Sequence, residues 1–86
     1  MGIVEIYTMP GCPYCDRAKN LLKKRGVEFR ETVVSYSDDA MWEQLYKKSG
    51  MKTVPQIFQD GAVIGGYSEL TALDGIDQLE SLRKKD

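Results

Sequence analysis

Ile3-Val4-Glu5-Ile6-Tyr7-Thr8-Met9-Pro10-Gly11-Cys12-Pro13-Tyr14-Cys15 is the stretch in which the chain changes from one regular structure to another. Residues 3 to 8 are mostly apolar and β-branched, so they read as a buried strand. Met9-Pro10-Gly11 ends that strand in a tight loop. Pro13 suits the first position of a helix, where its missing N–H removes nothing. Downstream, Ala18, Leu21 and Leu22 form one apolar stripe opposite Asp16, Arg17, Lys19, Lys23 and Lys24. A helix is expected from Pro13 to Arg25, closed by Gly26.

Outward from this unit, Val27 to Val34 returns to strand character. Ser37-Asp38-Asp39 supplies capping oxygens for a second helix, whose face carries Trp42, Leu45 and Tyr46 and which ends near Ser49-Gly50. Gln56 to Gln59 and Ala62 to Ile64 are two short strands around Asp60-Gly61, a pair suited to a two-residue hairpin turn. Ser68 is expected to cap a last helical region carrying Leu70, Leu73, Ile76, Leu79 and Leu82, bent at Asp74-Gly75, with Arg83, Lys84 and Lys85 suited to its C-terminal dipole. The order is therefore β-α-β-α-β-β-α. Because a strand-helix-strand unit crosses over right-handed to a parallel neighbour, these elements imply an α/β fold, a four-stranded mixed sheet with helices on both faces. The apolar stripe of the last helix and the Trp42–Tyr46 pair are expected to face the core. Lys23-Lys24-Arg25 and Lys47-Lys48 are expected to be solvated helix ends.

Eighty-six residues suffice for one domain, taken as 1–86. Twelve Lys and Arg against thirteen Asp and Glu leave a formal charge of -1, so no field attracts nucleic acid or anionic lipid. With 42% hydrophobic and 29% charged residues and a mean hydropathy of -0.40, the chain is expected to fold without a membrane. The start Met1-Gly2-Ile3-Val4-Glu5 lacks the basic and apolar regions of a signal peptide, and Ile6 stands where a myristoylation motif needs Ser or Thr. A cytoplasmic monomer is expected.

Chemistry concentrates at Cys12-Pro13-Tyr14-Cys15. The two cysteines are three residues apart and close no long loop, so a structural disulfide is the weaker reading. Zinc would need four ligands, and the chain has two cysteines and no histidine, so no metal is expected. The missing histidine also removes imidazole-assisted nucleophiles. With a helix starting at Pro13, Cys12 is its N-cap and Cys15 lies in its first turn. Both sulfurs then meet the positive helix end, which stabilises a thiolate; Cys-x-x-Cys motifs commonly bring a thiol from ~8.5 to between ~3.5 and 7.5. Cys12, outside the helix, is the expected nucleophile, and Cys15, one turn inside, the resolving thiol.

The residues Glu5-Ile6-Tyr7-Thr8, Cys12-Pro13-Tyr14-Cys15, Thr53-Val54-Pro55-Gln56-Ile57-Phe58 and Ile64-Gly65-Gly66-Tyr67-Ser68-Glu69-Leu70 together resemble the dithiol glutaredoxins over nearly the whole chain. The resemblance implies a thioredoxin fold and a glutathione-dependent thiol-disulfide oxidoreductase acting on disulfide-bonded or glutathionylated proteins. Glutathione is then a co-substrate, with no bound cofactor. It further implies a cis Pro55, with Val54 offering backbone N–H and C=O groups to an extended thiol peptide and Thr53 beside it. Gly65 and Gly66 would let the backbone approach the ligand, and the N–H groups near Tyr67, Ser68 and Glu69 would hold the γ-glutamyl carboxylate. Glu69 would pair with the γ-glutamyl ammonium, and Tyr14 would flank the tripeptide.

One position departs from the pattern. Many glutaredoxins carry Lys three residues before the first cysteine, where this chain has Met9. Loss of that cation is expected to disfavour a thiolate at Cys12 and to weaken carboxylate binding, by ~0.2 to 1 kcal/mol for each exposed pair. Lys52, just before Thr53 where family members often have a basic residue, is expected to reach the glycyl carboxylate and compensate in part. Two other readings are a thioredoxin-like donor to one dedicated partner, using another thiol or reductase, and a dimer bridging an iron-sulfur cluster through Cys12 and glutathione. Pro13 stiffens the loop and speaks against the second.

Overall fold

The computed structural model describes residues 3–75. Its elements are β1 (Val4–Thr8), α1 (Pro13–Lys24), β2 (Phe29–Val33), α2 (Asp39–Ser49), β3 (Gln56–Gln59), β4 (Ala62–Gly65) and α3 (Tyr67–Gly75). Local chemistry sets most of the boundaries. Pro13 opens α1 behind an extended Cys12, and beyond its C-cap, Arg25, Gly26 has a left-handed φ of 75°. The Asp38 carboxylate accepts the Met41 N–H at 3.1 Å to cap α2. Asp60 (φ 52°) and Gly61 (φ 85°) are both left-handed, as a hairpin turn matched to strand twist requires.

The strands lie in the order β2-β1-β3-β4. β1 and β2 are parallel, while β1–β3 and β3–β4 are antiparallel. The mixed sheet is the one expected. Alternation along β1 and β3 divides the interior between its faces. Val4, Ile6 and Ile57 pack with Ala18, Leu22, Val27 and Leu70 beneath α1 and α3. On the other face Phe58 joins Val34 and Leu45 beneath α2, with Tyr7 edge-on to Phe58 at 5.6 Å. Full burial of such a side chain stabilises by ~1.5 to 3 kcal/mol.

Polar braces tie the helices to this frame. The buried Thr8 hydroxyl donates to Glu31 Oε2 at 2.7 Å, and Lys19 Nζ donates to the same oxygen at 2.9 Å. The Thr8 hydrogen bond first, then Lys19, holds the Glu31 carboxyl below its ordinary value of 4.5. The brace therefore contributes above that pH and fades as pH falls through the lower folded value.

Four expectations change. The second strand is shorter than 27–34: it spans Phe29–Val33, since the Val27 N–H turns back to the Leu22 carbonyl of α1, and Val27 and Val34 are buried at its ends. Tyr46 does not face the core. It is 47% exposed, and the Lys52 ammonium lies 5.1 Å from its ring centre. Arg25 is not simply solvated: its guanidinium makes a two-pronged contact to Asp74 of α3, at 2.7 and 3.2 Å. Finally, α3 begins at Tyr67, which puts Ser68 inside the first turn and not at the cap. Ile76, Leu79, Leu82 and Arg83 to Lys85 lie outside the described residues.

Candidate active site

Cys12 stands at the mouth of α1, half-buried, with its sulfur accepting the Cys15 N–H at 3.2 Å. Its Sγ lies 4.0 Å from the Val54 carbonyl oxygen. Cys15 is only 1% exposed, so the reachable sulfur is Cys12. The Val54–Pro55 peptide is cis, as expected.

The segment facing Cys12 is fixed from behind by Gln56, a fully buried polar residue. Its Nε2 donates to the carbonyls of Met51 (3.1 Å) and Thr53 (2.9 Å), and its Oε1 accepts the Ser49 hydroxyl at 2.8 Å. Ser49 Oγ also accepts the Met51 N–H at 2.9 Å. One amide thus holds both sides of the loop that presents Thr53 and Val54. Gln56→Leu leaves these partners without their bonds, so a loss of ~1 to 3 kcal/mol is expected in urea unfolding, with a raised KM for disulfide substrate.

On the far side, Tyr14, Thr53, Val54, Pro55, Gly66, Tyr67, Ser68 and Glu69 line one pocket of about 260 Å³, together with Met51. The rings of Tyr14 and Tyr67 are 5.8 Å apart and form one of its walls. Gly66 N–H donates to Glu69 Oε1 at 2.7 Å, so that carboxylate folds back over the helix start. Gly65 has φ 132°, and a Cβ there would sit 2.6 Å from Glu69 Cγ. The glycine is required by both backbone and space. Lys52 lies apart from this pocket, toward α2.

Comparison with known proteins decides the family. The glutaredoxin family profile matches residues 4–64. The chain belongs to the glutaredoxin family. It is 49% identical to Glutaredoxin 3 of Escherichia coli K12 over 84 residues, which cover 98% of this chain and all of that one. A glutaredoxin from Pseudomonas aeruginosa is 42% identical, over 95% of this chain and 96% of its own. Among solved structures, the Brucella melitensis glutaredoxin superposes with a TM-score of 0.79 at 44% identity, over 94% of this chain and 87% of that one. A buckwheat glutaredoxin in complex with glutathione gives 0.84 at 25% identity, over 92% of this chain and 74% of that one. The fold is the thioredoxin fold, and the activity is that of a thiol-disulfide oxidoreductase.

Within this glutaredoxin the buried thiol is held protonated. Burial first, then the hydrogen bond with Cys12, pushes the Cys15 pKa from 9.0 up to about 12. The neutral form is the one that the fold stabilises. Its contribution is complete below pH 9, the unfolded value, and is lost as pH rises toward the folded value near 12. The stability of the reduced protein is expected to fall across that window by ~1.4 kcal/mol per pH unit, and Cys15→Ser to flatten the decline. Chemical unfolding at stepped pH measures both.

Two features of this glutaredoxin's site were not read from its sequence. Gln56 looks like an ordinary strand residue until Ser49 and Met51 are seen beside it. Tyr36 and Trp42 border the cleft on the α2 side, next to Met9.

Proposed function

We propose that this glutaredoxin reduces protein disulfides and glutathione mixed disulfides with glutathione as co-substrate. Cys12 is the attacking thiolate and Cys15 the resolving thiol. The observation that carries the reading is the position of Cys12 Sγ, which receives a backbone N–H at the helix mouth and lies beside the Val54 carbonyl. A sulfur so placed is reachable by a substrate disulfide and meets the N-terminal end of the helix.

The thiolate attacks one sulfur of the substrate disulfide. A bond forms to Cys12, the old S–S bond breaks, and the leaving thiolate takes a proton from solvent. Two of the influences that keep Cys15 protonated come from Cys12, its hydrogen bond and its charge. Both weaken once Cys12 is in a mixed disulfide, so Cys15 ionises more readily at the stage when it must attack Cys12. Its attack closes the Cys12–Cys15 disulfide and releases the reduced substrate. Two glutathione thiols then reduce that disulfide, leaving glutathione disulfide.

The glutathione complex of the buckwheat relative supports the co-substrate. The γ-glutamyl carboxylate meets the N–H groups of Tyr67 and Ser68, Glu69 turns from Gly66 to the ammonium, and Tyr14 covers the tripeptide. Thr53, Val54 and Pro55 pair with its backbone, and the glycine points toward Lys52. The protein works as a monomer in the cytoplasm, where reduced glutathione is supplied. Among the described residues no helix is long and apolar enough to cross a membrane.

NADPH consumption in the presence of glutathione, glutathione reductase and a small glutathione mixed disulfide tests the proposal. Turnover that saturates in glutathione is expected. A folded protein that turns over only with another thiol or a thioredoxin-type reductase would assign it to the dedicated-partner class.

A further inference from the structure

Beyond Val54 the cleft continues as an open groove of about 550 Å³ lined by Met9, Tyr36, Trp42, Thr53 and Val54. Asp39 and Lys52 add one charge of each sign, so apolar contact dominates its selectivity. Tyr36 is 83% exposed, and Trp42 is held at its edge by a 3.1 Å hydrogen bond from Nε1 to the Ser35 carbonyl. Thr53 and Val54 line both this groove and the Tyr14–Glu69 pocket, so the two form one channel with Cys12 beside its middle.

A disulfide sulfur brought to Cys12 must carry its own backbone past Val54. In an extended segment, side chains two residues apart share a side and stand ~6.6 to 7 Å from each other. When the substrate cysteine points at Cys12, the second residue along therefore points into the channel too. We propose that this groove is a protein-substrate subsite that takes an aromatic or large aliphatic side chain two residues C-terminal to the reacting cysteine. The proposal rests on the function given above, which directs the residue after the cysteine toward Lys52. Glutathione ends at that residue, on the Lys52 side of the groove, and leaves the Tyr36–Trp42 end open. Selection there acts among protein segments.

The test uses Cys15→Ser protein whose Cys12 carries glutathione, exchanged against two peptides, acetyl-Ala-Cys-Ala-Phe-Ala-amide and its Phe-to-Ser counterpart. The peptide thiolate attacks Cys12 Sγ, the Cys12–peptide disulfide forms and glutathione thiolate leaves, with no net oxidation. The exchange constant is expected to be about tenfold larger for the Phe peptide. Trp42, the one tryptophan of the chain, should change its fluorescence with that peptide. In Tyr36→Ser the preference should drop below about threefold, as apolar area is withdrawn. Equal constants for both peptides, with adducts forming normally, would overturn the subsite and leave the proposed function standing. Absence of any adduct, with glutathione or peptide, would remove the function itself and the subsite with it.

Discussion

Cys12→Ser is expected to lower turnover of every disulfide substrate by more than about 10³-fold. Serine keeps the helix cap, since its oxygen accepts the Cys15 N–H as the sulfur does at 3.2 Å. The variant should therefore fold normally, with little change in its urea midpoint. What it lacks is a nucleophile. A hydroxyl is not ionised near neutral pH, and the buried Cys15 cannot substitute, since burial keeps it protonated and out of reach of substrate. Steady-state rates on a glutathione mixed disulfide and on a protein disulfide, beside circular dichroism of the variant, measure the effect. Appreciable activity in the folded variant would mean that Cys12 is not the attacking group.

Cys15→Ser separates the two reactions. Reduction of a protein disulfide is expected to fall by about 10²-fold, because the resolving attack loses the high effective concentration of a positioned intramolecular thiol. Removal of glutathione from a mixed disulfide should stay within about threefold of the native rate, since external glutathione resolves the Cys12 adduct. Parallel assays on the two substrates give the ratio. Equal loss of both activities would show that Cys15 is needed before resolution, through the helix mouth or through Cys12 itself.

Local signals in the sequence carried much of this architecture. Pro13 behind Cys12 places the helix start, and Asp60-Gly61 places the hairpin, because each depends on backbone preferences of the residues themselves. The parallel pairing of β1 with β2 follows from the crossover rule, whereas the antiparallel place of β3 on the other edge of β1 had no local signal. What escaped depended on partners distant in the chain. A helical stripe containing Trp42, Leu45 and Tyr46 does not state how far the sheet extends beneath it. The sheet covers Leu45 fully and leaves Tyr46 half open to meet Lys52. Arg25 looked solvated until α3 brought Asp74 to it.

The site was legible in the same uneven way. Cys12 and Cys15 declare themselves by spacing. The Thr53–Pro55 and Gly66–Glu69 segments acquired meaning only by resemblance, and the fold does gather them with Tyr14 into one pocket. Lys52, expected near the same ligand, is drawn toward Tyr46 and stands at the junction with the α2-side groove. Glu69 doubles as a brace for its own helix through Gly66 N–H, a bond that depends on the left-handed Gly65 before it. Gln56 gave no signal, since its value lies in carbonyls that the loop turns toward it.

The most direct test of the central claim is intact-mass analysis with peptide mapping of the Cys15→Ser protein after incubation with glutathione disulfide. One glutathione per chain is expected, attached at Cys12 and released by added glutathione. A protein that stays unmodified under conditions where a free cysteine peptide reacts would contradict it.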